Sequence, residues 1–488
     1  MKIEKSHWLD ARRCASKAWF GLHSPDQPLS ESSRFLFEQG REVALRARGL
    51  YPAGVVAGSL ERTRHLVAEP AVSVIFDARF EAGPFAASVD ILVRGEAGWQ
   101  ILEVRSSLAS KPVSRRGEGR DLTGELAYAA MVLREAGVPV AGASVAQLSR
   151  QYRFGDSLEQ LFEISDKTAA VELRLAETGA SRARIAESIL SEDRPEARFC
   201  SACRKCEYFA SHCLGRGLEH TVLEIPGLKS RETKELADLG VVDLALLPPE
   251  FPLTDRQQRA RECALTGNRY IGPQLAGQLN AMEWPCYYLD FESVMTAFPL
   301  YPGHGCHSPV LTQFSLHRRQ DWREEATHSD YLADPARDCA REFAEALLSR
   351  LGDRGSILVY SEFEGAQIRA LAAQFPDLES RLTALSGRIV DLLPIIQRHV
   401  YDPAFRGRTT LKKVLPALVH DLSYAGLVIQ DGGTAVARFA RMATGDITGS
   451  EALLVGQQLR DYCRMDTLAM VRLHEVLSDL AGARRAAG

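Results

Sequence analysis

The feature that most constrains the fold is a pair of carboxylates inside an apolar segment. Residues 287–292 read Tyr-Tyr-Leu-Asp-Phe-Glu, a composition typical of a buried β-strand. Asp290 and Glu292 are two residues apart, so on a strand they point to the same face. Two buried carboxylates in contact cost desolvation and repel each other. A divalent cation bound between them offsets both costs, and the segment therefore predicts a metal site.

Composition sets the broad class of the protein. The chain has 488 residues, which is too long for a single hydrophobic core and favours two to four domains. A hydrophobic fraction of 45% and a charged fraction of 25% are ordinary for a globular protein. The net charge of −4 argues against a surface that is basic throughout, but it leaves room for a nucleic-acid enzyme with a local basic groove.

No segment of the sequence indicates a membrane or a secretory route. Residues 1–14 lack the apolar stretch of a signal peptide, and no later run is long enough to span a bilayer. We therefore expect a cytoplasmic protein without a membrane partner. In that compartment the 10 cysteines are expected to be reduced or to hold a metal.

Hydrophobic patterning predicts an α/β protein in three parts. Residues 1–215 have the pattern of a mixed α/β domain, 216–280 form a connector of short helices, and 281–488 form a second α/β domain. In the first domain we predict strands at 72–80, 87–93 and 99–104, and helices at 35–48 and 122–135. In the last domain we predict helices at 336–350 and 456–480.

Two further acidic segments fit the site of Asp290 and Glu292. Residues 359–364 are predicted to form a strand that ends in acids, with Glu364 favoured and Glu362 as its rival, just before a helix that begins near residue 366. Tyr462 and Asp466 lie four residues apart in a strongly predicted helix, so they share one face. Taken singly, each acid could equally be a surface charge or a helix cap.

The ordered set resembles the DEDDy branch of the DnaQ-like 3′→5′ exonucleases, which have a ribonuclease H-like fold. The resemblance rests on Asp-x-Glu, a later acid and Tyr-x-x-x-Asp, in that order. It implies that Asp290, Glu292, Glu364 and Asp466 hold two Mg²⁺ or Mn²⁺ ions, with Asp290 bridging them. Tyr462 would orient the attacking water. The second motif of that family usually ends in Asp, whereas this chain offers a glutamate.

Other polar residues of this region fit two roles each. Asp391 follows a strand-like segment and fits either a residue behind the metal ligands or a helix N-cap. Lys412 and Lys413 precede an apolar helix and fit either contacts to a phosphate backbone or a solvated pair.

A group of cysteines closes the first domain. Cys200, Cys203, Cys206 and Cys213 lie within a short span, and thiolates spaced in this way are usually metal ligands in a cytosolic protein. One interpretation is a zinc site built from these four. The other adds the distant Cys14 and makes an iron–sulfur cluster, with one of the five cysteines left over.

The first domain as a whole resembles the cluster-bearing RecB-like nucleases of the PD-(D/E)XK type. That resemblance implies a [4Fe–4S] cluster held by Cys14 and three late cysteines, in preference to Zn²⁺. It also implies that Asp90 and Glu103 hold a divalent ion, but Arg105 stands where the family has a lysine. Arginine stays protonated and cannot replace that lysine in activating water. We therefore interpret this domain as a nucleic-acid-binding or structural one rather than an active nuclease.

Nearly the whole chain is similar to a bacterial family of unknown function that joins a RecB-like half to a DnaQ-like domain. The sequence thus predicts a metal-dependent 3′→5′ exonuclease, with DNA as the favoured substrate and RNA left open, in repair or phage defence. No Walker A or helicase signature is present, so unwinding would require a helicase or another repair or defence protein as partner. Two alternatives remain: cleavage by Asp90 and Glu103, or a nucleic-acid-binding scaffold in which both folds have lost activity.

Overall fold

The computed structural model describes residues 1–24, 28–109 and 121–482 and has a mixed α/β architecture. The chain forms two compact units. The first contains Met1–Arg216 and also Thr296–Ser308, and the second contains Gly217–Met295 and Pro309–Gly488. The segment interpreted as a helical connector, 216–280, therefore lies almost entirely within the second unit.

The first unit is built on a six-stranded sheet. In its described residues the strands are β1 (Val55–Val56), β2 (Val74–Ala82), β3 (Phe85–Gly95), β4 (Gly98–Leu108), β5 (Val140–Leu148) and β6 (Phe162–Asp166). The helices are α1 (Lys5–Arg13), α2 (Ala15–His23), α3 (Glu31–Ala47), α4 (Leu60–Ala68), α5 (Leu122–Glu135), α6 (Leu158–Leu161), α7 (Thr168–Leu190) and α8 (Phe209–His212), with 3₁₀ turns at Arg48–Leu50 and Ser201–Lys205.

The strands of this sheet follow chain order from β1 to β6. Strands β2, β3 and β4 are antiparallel neighbours, whereas β4 and β5 are parallel and are joined through α5. The predicted helix at 122–135 is confirmed as α5, and every residue from 124 to 133 is buried. Asp121 caps this helix by accepting a hydrogen bond from the Gly124 amide at 2.9 Å. A helix buried all round explains why its sequence is apolar without a polar face.

A short segment from the second half of the chain completes the first unit. Within Thr296–Ser308, the Ala297 amide donates to Gln39 at 2.5 Å, and the Phe154 amide donates to the His304 carbonyl at 2.9 Å. The His307 ring bonds the Ser106 carbonyl at 2.5 Å. The chain therefore leaves the second unit after Met295 and returns to it at Pro309.

The second unit is built on a five-stranded mixed sheet. The described residues of this unit form seven strands, of which β8 to β12 make up the sheet: β7 (Tyr270–Ile271), β8 (Cys286–Val294), β9 (Val310–Arg319), β10 (Thr327–Leu332), β11 (Ile357–Val359), β12 (Ile389–Asp391) and β13 (Val400–Tyr401). Its described helices are α9 (Ser230–Asp238), α10 (Asp255–Thr266), α11 (Leu275–Asn280), α12 (Ala340–Arg350), α13 (Phe363–Gln374), α14 (Glu379–Ser386), α15 (Leu392–His399), α16 (Leu411–Leu418), α17 (Gly432–Ala443) and α18 (Gly449–Leu480), with 3₁₀ turns at Val222–Glu224, Leu244–Leu246, Pro403–Phe405 and Tyr424–Gly426.

Strand β8 lies at the centre of this sheet. The order is β10-β9-β8-β11-β12, antiparallel from β10 to β8 and parallel from β8 to β12, while β7 and β13 form a separate two-stranded pair. The two faces of β8 enter different cores. Tyr287, Leu289 and Phe291 pack with α12, α13 and α14, whereas Tyr288 packs with α15, α16 and α18.

This alternation decides where the two acids of β8 lie. Asp290 and Glu292 share the face of Tyr288 and so point towards the side of the sheet that α18 covers. Phe314 on β9 is completely buried and its ring contacts those of Phe291 and Phe343 on the opposite face. The aromatic packing on one face therefore holds the strand while the other face presents its carboxylates.

No helix in the described ranges of the chain combines the length and the apolar character needed to cross a lipid bilayer.

Candidate active site

Three carboxylates from two elements converge in the second unit. Asp290 and Glu292 come from β8, and Asp466 comes from α18. One oxygen from each lies within 4.8 Å of the others, the spacing at which a single divalent ion can be held. No other group of three potential ligands in the described residues comes as close together. The structure thus brings together the two acids of the Asp-x-Glu motif and the acid of the Tyr-x-x-x-Asp motif.

Glu364 borders the same site from a different element. The structure places it in the first turn of α13, not at the end of a strand, because this helix begins at Phe363 rather than near residue 366. Its side chain is buried, accepts a hydrogen bond from Ser361 Oγ at 3.3 Å, and its charge acts on Asp290 and Glu292. Its rival Glu362 is exposed at the N-cap of that helix.

Burial and mutual repulsion make these acids hard to ionise. Burial raises the pKa of Asp290 well above its usual range, and the charges of Asp466 and Glu292 raise it further. Burial and the charge of Asp466 raise the pKa of Glu292 to about 8. Burial likewise raises the pKa of Glu364 to about 7 and that of Asp466 to about 6. Ionising these acids together would place like charges side by side, and a bound cation would offset that cost.

Two aromatic hydroxyls and one ammonium surround Asp466. Lys412 Nζ donates to Tyr462 Oη at 2.9 Å and to the Gln430 carbonyl at 2.7 Å. Tyr424 Oη donates to Asp466 Oδ1 at 2.5 Å. The charge of Lys412 lowers the pKa of Glu292 and Asp466, which opposes the effect of burial. Lys412 thus belongs to the site itself.

Two residues of this site were missed by sequence reasoning. Tyr424 lies in a 3₁₀ turn far from any motif, and only its contact with Asp466 identifies it. Cys463 is completely buried and close to Asp466 in sequence, and its thiol donates to Asp290 Oδ2 at 3.5 Å. Its position one residue after Tyr462 was the available signal.

The remaining predicted residues of this region have separate positions. Lys413 is exposed next to Lys412 and has no ion pair in the described part of the chain. Asp391 is the N-cap of α15 and accepts a hydrogen bond from the Leu393 amide at 2.9 Å, which confirms the capping interpretation.

The first unit brings its own predicted residues together as an ion-paired cluster. The pairing of Ile91 with Leu102 sets Asp90 beside Glu103 on adjacent strands. Arg105 lies 2.8 Å from Glu103 and 3.6 Å from Asp90, and it also pairs with Glu125 of α5. Burial raises the pKa of Asp90 to about 6. Burial would also raise the pKa of Glu103, but the nearby cations outweigh it and lower that pKa.

A lysine that the sequence did not indicate completes this cluster. Lys5 of α1 places Nζ 2.9 Å from Glu103 Oε2 and 3.8 Å from Glu125. A cavity of about 290 Å³ opens beside Lys5, Asp90, Glu103 and Arg105. Glu103 Oε1 is buried there without a hydrogen-bond partner in the described residues. Lys5 and Arg105 therefore neutralise acids whose charge a metal ion would otherwise neutralise.

Four of the five predicted cysteine ligands line one small cavity of the first unit: Cys14, Cys203, Cys206 and Cys213. Cys200 Sγ lies 3.9 Å from Cys203 Sγ and 3.9 Å from the Arg13 carbonyl. Tetrahedral zinc requires sulfurs about 3.8 Å apart in all pairs, given Zn–S bonds of about 2.3 Å. Among the described residues, no three cysteine sulfurs come within 4.8 Å of one another.

The raised carboxyl pKa values predict how stability of the metal-free protein depends on pH. Because folding raises these pKa values, the acids bind protons more tightly in the folded state. Their stabilising contribution is complete below the usual pKa of about 4 and is lost as pH rises through about 6 to about 8. We expect the thermal midpoint in chelator to fall over that interval, and Asp290→Asn to raise it at about pH 8.

Divalent metal should make the wild type more stable than Asp290→Asn, the opposite of the order expected in chelator. Mn²⁺ at about 100 times its dissociation constant should stabilise the wild type by about 2.7 kcal/mol and stabilise Asp290→Asn far less. Asp461→Asn, an exposed residue of the same α18, is the matched control and should respond like the wild type. Equal stabilisation of the Asp290 variant would show that the metal binds elsewhere.

Comparison with known protein families matches part of the chain. A family model described as a domain of unknown function (DUF2779) matches residues 287–410. The matched region contains Asp290, Glu292 and Glu364 and ends before Lys412, Tyr462 and Asp466. No curated protein matches the chain.

Proposed function

We propose that the second unit is a divalent-metal-dependent 3′→5′ exonuclease of the DEDDy type, acting on DNA in preference to RNA. The observation that carries this proposal is the convergence of Asp290, Glu292 and Asp466, with oxygens within 4.8 Å of one another. Tyr462 lies one helical turn before Asp466 and close to the same acids. The polarity of cleavage rests on the resemblance to that family.

The topology of the sheet supports a ribonuclease H-like interpretation of this unit. A mixed sheet places the Asp-x-Glu strand β8 at its centre, and the long α18 packs against β8 and β9 and carries the last acid. Glu364 enters from α13, directly after the neighbouring parallel strand β11. The acids thus follow the chain order of the resemblance, although Glu364 lies in the first turn of a helix and not at the end of a strand.

The donor set fits hard divalent cations. Carboxylate oxygens are preferred by Mg²⁺ and Mn²⁺, and the repulsion among these acids is relieved by bound positive charge. Asp290, Glu292 and Asp466 would hold the ions, with Glu364 completing the set. Bound ions of this kind stabilise the charge that develops on a phosphodiester during hydrolysis. The hydrogen bond from Tyr424 fixes Asp466 Oδ1 and thereby orients its second oxygen.

Lys412 determines which way the hydroxyl hydrogen of Tyr462 points. An ammonium group only donates hydrogen bonds, so Tyr462 Oη must accept from Lys412 Nζ. The phenol hydrogen is then free to be donated to another acceptor, such as a water molecule or a phosphate oxygen. Lys412 therefore positions Tyr462, a role beyond the two that the sequence left open, a contact with the phosphate backbone or a solvated pair. The exposed Lys413 is left as the candidate for that contact.

We propose nucleic-acid binding, supported by a [4Fe–4S] cluster, for the RecB-like first unit. The cations Lys5 and Arg105 balance most of the charge of Asp90, Glu103 and Glu125, which favours a stable ion-paired core over a metal site. One observation favours the second candidate, cleavage in this unit. Lys5 brings a lysine ammonium 2.9 Å from Glu103, although the strand motif itself carries Arg105.

The cleavage test uses DNA and RNA strands labelled at either end, in Mn²⁺. We expect stepwise loss from the 3′ end by the wild type, and a decrease of more than about 100-fold in Asp290→Asn and in Asp466→Asn, because each removes a direct ligand. Asp461→Asn is the control on α18 and should cleave normally. Cleavage that survives in both ligand variants but is lost in Glu103→Gln would transfer the activity to the first unit.

The role of Lys412 predicts a change in turnover rather than in affinity. We expect Lys412→Gln to lower kcat by about 10- to 100-fold with little change in KM, and Lys412→Arg to recover part of the loss. Removing this cation also raises the pKa of Glu292 and Asp466, so the acidic limb of the pH–rate profile should move to higher pH. If Lys412→Gln raises only KM, as expected for Lys413→Gln, Lys412 binds the substrate backbone instead.

The cysteine cavity predicts which thiol is dispensable. Metal analysis and visible absorption of protein purified without oxygen should show iron and sulfide in the wild type. We expect Cys14→Ser to lose them and Cys200→Ser to retain them, because Cys14 lines the cavity of Cys203, Cys206 and Cys213 and Cys200 does not. Zinc in place of iron, or equal loss from both variants, would contradict the assignment.

A further inference from the structure

A second and larger cavity lies beside the cysteines of the first unit. Its volume is about 720 Å³, within the range of about 300–1,000 Å³ typical of ligand sites. It is bounded by the end of α1, by the middle of α7 and by residues 195–200. Cys14 lines both this groove and the smaller cysteine cavity, so the two share a wall.

Positive charge predominates in this groove. Its lining includes four arginines and two glutamates: Arg12, Arg13, Arg184, Arg198, Glu177 and Glu196. Glu177 lies 3.6 Å from Arg12 and 3.2 Å from Arg174, and Glu196 lies 3.8 Å from Arg198. Arg13 and Arg184 have no carboxylate within 4.0 Å in the described part of the chain. A chain whose net charge is −4 thus concentrates uncompensated guanidinium groups at one groove.

The same lining offers nothing on which a base could stack. Apart from the charged residues and the cysteines, the groove presents small or aliphatic side chains and two serines, and none of its lining residues is aromatic. Proteins that stack the bases of single-stranded nucleic acid do so on aromatic side chains. Guanidinium groups pair well with phosphate oxygens, in two parallel hydrogen bonds where geometry allows. The lining therefore suits a phosphate backbone, independently of base sequence.

The cysteine loop supports the position of these arginines. The Cys200 thiol donates to the Arg13 carbonyl at 3.9 Å, at the end of α1. The C-terminal end of a helix carries partial negative charge, which favours Arg12 and Arg13 in the last turn. The backbone that carries Arg13 thus contacts a residue of the cysteine loop, while its side chain remains exposed.

We propose that this arginine groove, defined by Arg12, Arg13, Arg184 and Arg198, binds the phosphodiester backbone of a nucleic-acid strand. The proposal deepens the proposed function, since it names where the first unit holds the strand. It predicts recognition through phosphates alone, with affinity that decreases steeply as salt increases.

The test measures binding of a labelled single-stranded DNA by fluorescence anisotropy in EDTA, so that no cleavage is needed. We expect the double variant Arg13→Gln/Arg184→Gln to bind at least about fivefold more weakly at low salt. A plot of log K against log salt concentration has a negative slope, and its magnitude should be smaller by about 2 for this variant. Each missing guanidinium leaves one phosphate with its counterion. The control, Arg41→Gln/Arg64→Gln, removes the same charge from exposed positions on α3 and α4 and should retain the wild-type affinity and slope.

Each outcome decides the proposal independently of the nuclease. Equal affinities and slopes for the two double variants, with unchanged thermal midpoints, would overturn it even if the protein cleaves DNA. Weaker DNA binding by the groove variant, with normal binding by the control, would support the proposal even if no cleavage is found. The lack of cleavage would then count against the exonuclease proposal and not against the groove. A strong preference of the wild type for one base sequence would also contradict binding through phosphates.

Discussion

The second unit is built around one unfavourable interaction, the repulsion among carboxylates that are buried close together, which the rest of the unit has to offset. Asp290, Glu292 and Asp466 resist ionisation because burial and repulsion both oppose it. Such an arrangement is stable only when the surrounding elements are held rigidly by other forces. Aromatic packing on the opposite face of β8 and the length of α18 supply that rigidity. The acids thus lower the folding stability of this part of the unit, as is common at sites that bind charged ligands.

The first unit meets the same constraint in a different way. There Asp90, Glu103 and Glu125 lie close together, but Lys5 and Arg105 lie among them. The pKa of Glu103 is consequently lowered, although this side chain is almost completely buried. In the second unit one ammonium group, that of Lys412, opposes the charge of the acids and their pKa values stay raised, whereas in the first unit two cations lie among the acids. This contrast supports the proposal that the second unit, and not the first, is the catalytic one.

The periodicity of the sequence predicted those features of the site that depend on residues close together in the chain. Strand alternation placed Asp290 and Glu292 on one face, and one helical turn joined Tyr462 to Asp466. The predicted helix at 122–135 agrees with α5 to the residue. What failed, or was missed, depends on packing between segments distant in sequence. Glu364 lies on a helix because α13 begins three residues earlier than predicted, and Tyr424 and Lys5 reach their partners across stretches that no motif spans.

The excursion of Thr296–Ser308 into the first unit has a consequence for how the protein can be made and divided. The N-terminal portion cannot complete its packing during synthesis until the ribosome has passed residue 308, by which point β8 has already been synthesised. A fragment ending near residue 280 would lack Ala297 and His307, whose hydrogen bonds belong to the first unit. Removing that segment from the other fragment would in turn leave β8 and β9 without their connection. Each unit is compact, but the two are interleaved in sequence, so gene fission between them is disfavoured.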